Sequence, residues 1–192
     1  MFILASKSPR RQELLQRLGL EFDIVTADID ETMDKSMSVA DAVCKVCEKK
    51  AAAVGKSHPG RLILAADTVV VADDAVLGKP HSEKEAHEML RMLSDREHQV
   101  ITGCCLWRDG ALETFYETTS IRFKALSDAE IDAYIATGSP MDKAGSYGIQ
   151  DHAAVFATGI VGDYYNVMGL PVCRVVQALR RHGIPVLNTT EP

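Results

Sequence analysis

No stretch of the chain approaches the about 20 consecutive apolar residues that a bilayer-spanning helix requires. The opening MFILASKSPRR also holds too short an apolar segment for a secretory signal. A soluble, cytoplasmic protein with no membrane partner is therefore expected. Positive charge is in short supply too: 21 Lys and Arg face 27 Asp and Glu, a net charge of -6, which fits no general binder of nucleic-acid polymers. A polyanionic ligand would have to be held by locally placed cations. Linkers rich in Pro, Gly or Ser, internal repeats and low-complexity stretches are all missing, so residues 1–192 are expected to form one domain. With 46% hydrophobic residues, a chain of this length encloses a substantial core, which excludes a disordered chain.

Five cysteines make an odd number for a disulfide framework, and reduced thiols are expected. Cys44 and Cys47 form a C-x-x-C, but no second pair follows at zinc spacing. The pair lies inside VADAVCKVCEKKAAAV, which reads as continuous helix and not as the strand-to-helix junction of a redox motif, so ordinary buried thiols without zinc are expected. His152 beside Asp151 lacks any G-x-S-x-G or comparable nucleophile context, which disfavours a His-based nucleophilic route.

What is present alternates strands with helices, the pattern of an α/β domain. FILAS reads as a strand, after which Ser8 caps a helix with Pro9 at its first position, Leu14, Leu15 and Leu18 on its apolar face and Gly19 just past its end. FDIVT reads as a second strand, Ser38 to Gly55 as a helix, and RLILAADTVVVA as a strand interrupted by Asp67 and Thr68. SEKE and SDAE predict capping boxes at Ser82/Glu85 and Ser127/Glu130. Arg108-Asp109-Gly110 joins two strands as a hairpin, and a last helix is expected from about Leu170 to His182.

Chemistry concentrates in five places. Arg10 and Arg11 stand in the first turn of a helix, where the dipole disfavours cations. A phosphate bound there would meet free N–H groups, the Ser6 and Ser8 hydroxyls and two guanidinium forks; taken alone, the two arginines also read as solvated surface charges. Asp67 interrupts an apolar run, which is expensive unless it sits at a strand end, capping a turn, or meets a cation. It could orient a divalent cation, activate a water, or do both. Of the acidic loop Asp28, Asp30, Glu31 and Asp34, at least one could join Asp67 in holding magnesium through oxygen ligands. Lys79, set between Gly78 and Pro80, is an aimed cation. The Gly-rich stretch from Asp142 to Gln150, with Lys143, lets backbone approach a ligand closely.

Together SKSPRR, Lys50-Ala51, Ala66-Asp67-Thr68, Gly78-Lys79-Pro80 and DKAGSYGIQ resemble, in order and over nearly the whole chain, the Maf family of nucleotide pyrophosphatases, historically called septum formation proteins. The resemblance implies an α/β fold related to the inosine-triphosphate pyrophosphatases, with an elongated mixed sheet flanked by helices and two lobes around a deep cleft, and commonly a homodimer. It implies hydrolysis of a nucleoside triphosphate between its α and β phosphates with a divalent cation, Mg or Mn. Carried over residue by residue, Asp67 is the proton acceptor, Glu31 and Asp67 hold the metal, and Ser6, Ser8, Arg11, Lys50 and Lys79 grip phosphates. Arg10, Thr68 and Gln150 match the branch that takes dTTP and UTP. The branch resembling 7-methyl-GTP pyrophosphatases carries Trp, Gln and Glu there and is the alternative within the class. The alternative of another class is a nucleotide-sensing regulator of cell division.

Overall fold

The computed structural model describes residues 1–187. The chain runs β1 (Phe2–Leu4), α1 (Pro9–Arg17), β2 (Phe22–Ile24), α2 (Val39–Gly55), β3 (Ile63–Ala72), β4 (Ala75–Leu77) and α3 (Glu83–Leu93). It continues through β5 (Glu97–Arg108), β6 (Ala111–Phe123), α4 (Asp128–Ile135), β7 (Ala157–Val161), α5 (Tyr164–Met168) and α6 (Val172–Arg181), with short 3-10 turns between α4 and β7. One seven-stranded sheet has the order β2-β1-β3-β5-β6-β7, with β4 also paired to β3. It is mixed: β1 lies parallel to β2 and β3, whereas β4 on β3 and β7 on β6 are antiparallel. The α/β expectation holds, and no helix among the described residues is long and apolar enough to cross a membrane.

Local signals set most element ends where the sequence predicts them. Ser8, Ser38, Ser82 and Ser127 each cap their helix by accepting an N–H bond three residues on. Gly19 takes the left-handed conformation after α1, at φ +68°. Ser127 and Glu130 form the reciprocal box. At Ser82 the expectation needs correction, because the Glu85 carboxylate reaches one residue further back and accepts the His81 N–H at 2.7 Å. Asp109 and Gly110, both at positive φ, make the tight turn between β5 and β6. β4, β7 and α5, three to five residues each, are additions to the elements that the sequence predicts.

The chain divides into two compact units. The first comprises Met1–Asp67, Thr102–Glu117 and the chain from Gly169 on. In its core Ile3, Ile63, Ala65 and Cys105 of the sheet, with Ala5 just past β1, pack with Cys47, Ala51 and Val54 of α2. This packing is very close. A Cβ added at Gly103 would lie 2.6 Å from Val43 Cγ1, and one at Gly55 would lie 2.1 Å from the Trp107 ring. The C-x-x-C lies within continuous helix, as expected: Cys47 donates to the Gly103 carbonyl at 3.2 Å and Cys44 to the Phe115 carbonyl at 3.6 Å.

The second unit comprises Thr68–Ile101 and Thr118–Met168. Its centre is a group of aromatic rings in edge contact. Phe123 meets His98 and Tyr147 at centroid distances of 4.8 Å, and Phe156 packs on Phe123 and on Tyr134 of α4. His98 is 2% exposed and shares a 2.8 Å hydrogen bond with the Tyr147 hydroxyl.

Two expectations follow. Burial lowers the His98 pKa from 6.5 to about 4, so between these values the unfolded chain binds the proton that the folded one refuses. The neutral ring's contribution is complete above about pH 6.5 and is lost as pH falls through about 4, an effect of about 3 kcal/mol. Urea unfolding of wild type should show this slope between pH 6.5 and 4.5, and His98→Gln should flatten it by about one proton; equal slopes would clear His98. Burial also raises the thiols, Cys44 to about 11 and Cys104 and Cys105 to about 12. A thiol reagent should therefore modify the exposed Cys173 quickly and Cys44, Cys47, Cys104 and Cys105 only on unfolding; rapid labelling that survives Cys173→Ser would contradict this packing.

Candidate active site

In the first unit, the turn from β1 into α1 builds one half of the site. Ser8 holds an extended backbone, Pro9 starts the helix, and the first turn carries no acidic residue. The Ser6 hydroxyl accepts from the Ser8 N–H at 3.2 Å and from Arg11 Nη1 at 3.0 Å. Arg11 Nε donates to the Gly169 carbonyl at 2.7 Å. Arg11 is 8% exposed, so the reading as a solvated surface charge fails for it, while Arg10 beside it is half-buried. A guanidinium held by a carbonyl and a hydroxyl at a helix start keeps its charge where an anion would meet it.

The other half centres on Lys50. Its ammonium lies 2.7 Å from Asp67 Oδ1 and 2.9 Å from Glu31 Oε2. Asp67 does not sit at a strand end: β3 continues to Ala72, and the residue meets a cation instead of capping a turn. Burial by itself would depress the Lys50 pKa, but Asp67 and then Glu31 overcome it and raise the value. The lysine is thus a fixed positive charge between two carboxylates. Of the acidic loop, Glu31 alone bonds to Lys50, whereas Asp30 and Asp34 close local turns on Thr32 and Ser36. Their bonds to Thr32 and Ser36 lower both carboxyl pKa values. Asp67, Arg11 and Lys50 all act on the buried Cys47 thiol, so the three charges share one neighbourhood.

In the second unit lie Thr68, half-buried next to Asp67, and the exposed Lys79 and Gln150. No ion pair among the described residues engages Lys79. Its loop is tied to the Gly-rich stretch by a 3.0 Å bond from Gly145 N–H to the Gly78 carbonyl. Gly145 sits at φ +66°, with space for a Cβ only 2.7 Å from Val70, so both the conformation and the close approach require glycine there.

Sequence reasoning missed the group beneath Gln150. The Tyr134 hydroxyl accepts the Gly148 N–H at 3.1 Å and donates to Asp151 Oδ1 at 3.1 Å. Ser139 donates to Asp151 Oδ2 at 2.5 Å, and Lys143 binds the Ser139 carbonyl at 2.5 Å and Asp142 at 2.8 Å. Asp151 also accepts the Ala153 N–H at 3.0 Å. With its carboxylate engaged in this way, Asp151 serves this loop and not His152.

A protein named dTTP/UTP pyrophosphatase from Halalkalibacterium halodurans is 49% identical over 181 residues, 94% of this chain and 95% of its own. Proteins of the same name from Bacillus cytotoxicus and Bacillus cereus are 47% identical over 94% of this chain and 94% of theirs, and 46% identical over 97% and 92%. Among solved structures, the Staphylococcus aureus Ham1 protein aligns with 64% of this chain and 71% of its own at 16% identity and a TM-score of 0.43, too slight a likeness to argue from. The family model described as Maf-like protein matches residues 1–182, and with relatives this similar over nearly all of their length the chain belongs to the Maf-like family.

Proposed function

We propose that this chain hydrolyses dTTP and UTP to the monophosphate and pyrophosphate. The observation that carries the reading is the Asp67–Lys50–Glu31 group, a mid-strand carboxylate fixed by a half-buried lysine, in a chain whose relatives bear that name. Lys50 engages one oxygen of Asp67 and leaves the second to accept a proton from an attacking water. The water oxygen bonds to the α-phosphorus, the bond to the bridging oxygen breaks, and pyrophosphate leaves. Arg11, Lys50 and Lys79, with the Ser6 and Ser8 hydroxyls, would neutralise a triphosphate that an acidic protein otherwise repels.

Lys50 engages one oxygen of Glu31 and one of Asp67, and the chemistry of two carboxylates suits magnesium, which is held through one or two carboxylates and substrate phosphates and needs no all-protein cage. Glu31 and Asp67 would hold it, and when bound it supplies charge neutralisation at the phosphates. Gln150 would read the base: its amide accepts from N3–H of uracil or thymine and donates to the neighbouring carbonyl, and Arg10 and Thr68 are the other residues proposed to bear on specificity. A homodimer in the cytoplasm is part of the same proposal.

Release of pyrophosphate from dTTP, UTP, CTP, GTP and 7-methyl-GTP tests it. dTTP and UTP should be preferred, chelation should abolish turnover, and Mg or Mn should restore it. Asp67→Asn should lose about a hundredfold or more in turnover with nucleotide affinity largely kept. Lys79→Ala should weaken triphosphate binding far more than nucleoside binding. A chain that binds these nucleotides without turnover would be a sensor instead, and preference for 7-methyl-GTP would move it to the other branch.

A further inference from the structure

Gln150 is exposed and its amide can rotate. One face of the amide matches uracil and thymine, and the opposite face matches cytosine. Some other part of the chain must therefore decide which face a bound base meets. The four-residue segment from Gly148 to Asp151 is anchored at both ends by one buried hydroxyl. Tyr134, 3% exposed, accepts the Gly148 N–H and donates to the Asp151 carboxylate. Asp151 N–H closes the segment on the Gly148 carbonyl at 3.1 Å.

The far side of Asp151 is held by Ser139, which is held in turn by the 9% exposed Lys143. Lys143 also lies 3.5 Å from Asp151 Oδ2. Space is tight as well: a Cβ on Gly148 would lie 2.5 Å from Asp151 Oδ2 and 2.6 Å from Lys143 Cε. Burial pushes the Tyr134 phenol up, which favours the protonated hydroxyl that donates to Asp151. The segment carrying Gln150 can neither slide nor tilt without breaking the buried Gly148–Tyr134 bond and the half-buried bonds to Asp151.

We propose that Tyr134, Asp151, Ser139 and Lys143 form a clamp that positions Gln150 and thereby sets discrimination between uracil or thymine nucleotides and cytosine nucleotides. The clamp rests on the reading of Gln150 given above. Its members are positioning residues. The amide turns about its own side-chain bond in either case; the held segment sets the distance and angle at which only one orientation pairs fully with the base, and a freed segment would let the turned amide reach cytosine as well, so rejection of cytosine would fall while phosphate binding stayed intact.

The test is the ratio of kcat/KM for UTP over CTP, measured with metal in wild type, Tyr134→Phe, Ser139→Ala and Gln150→Glu. Loss of fold would lower both substrates together and leave the ratio unmoved. Tyr134→Phe should lower the ratio about tenfold, chiefly by raising CTP turnover relative to UTP, and Ser139→Ala should lower it about threefold. Should Tyr134→Phe fail to fold, Ser139→Ala decides alone. A ratio within about twofold of wild type in the folded clamp variants, with Gln150→Glu shifting it, would overturn the clamp and leave Gln150's role standing. A ratio unmoved in Gln150→Glu would overturn the reading of Gln150, and the clamp with it.

Discussion

A carboxylate in the middle of β3, between the buried Ala66 and Val69, is tolerable only because one ammonium reaches it. Lys50 stands on α2, so this meeting requires the helix to lie close against the sheet. The small residues of the first unit serve that closeness: Ala51 and Cys47 on the helix pack with Ala65 and Cys105 on the strands. Gly103 lies beneath Val43 and leaves no room for a side chain. A larger core residue would move the helix outward and take Lys50 from Asp67. The Lys50–Asp67 pair is sheltered and so poorly screened by salt, whereas Glu31, with its side chain 58% exposed, is held more loosely as ionic strength rises.

The second unit solves a different problem with different means. Its aromatic group, His98 with Phe123, Tyr147, Phe156 and Tyr134, forms a stiff floor. The Gly-rich stretch that contributes Tyr147 to this group has almost no regular structure of its own, since its 3-10 turns are only three or four residues long. Order in that stretch comes from hydrogen bonds to side chains: Tyr134, Ser139, Lys143 and Asp151 replace the ladder that a strand or helix would supply.

What could be read in the sequence was what neighbouring residues decide between themselves. Ser8 with Pro9, Ser38, and Ser127 with Glu130 announce their helices within four positions, and Asp109-Gly110 announces its turn. The anomaly of Asp67 in an apolar run was visible too, but its resolution was not, because Lys50 is a helix away. Of four acids in one loop, nothing local singled out Glu31. Arg11 looked like surface charge because its carbonyl partner, Gly169, lies 158 residues further on. The Tyr134 and Asp151 pairing, across 17 residues of irregular chain, left no periodic trace. β7 was missed for a related reason: ATGIV has little alternation, being four-fifths exposed at the edge of the sheet.

Gly55 and Gly103 have a meaning for how such a chain can change over generations. At both, the first carbon of any side chain would collide, with the Trp107 ring in one case and with Val43 in the other. Neither position can drift through alanine or serine as an ordinary helix or strand residue could, so each is a dead end for stepwise substitution unless its neighbour shrinks first. The helix that delivers Lys50 is thereby registered on the sheet by two places where a neighbour fills the space a side chain would take. Anyone transplanting the Lys50–Asp67 pair to another scaffold would have to carry those two close contacts along with the charges.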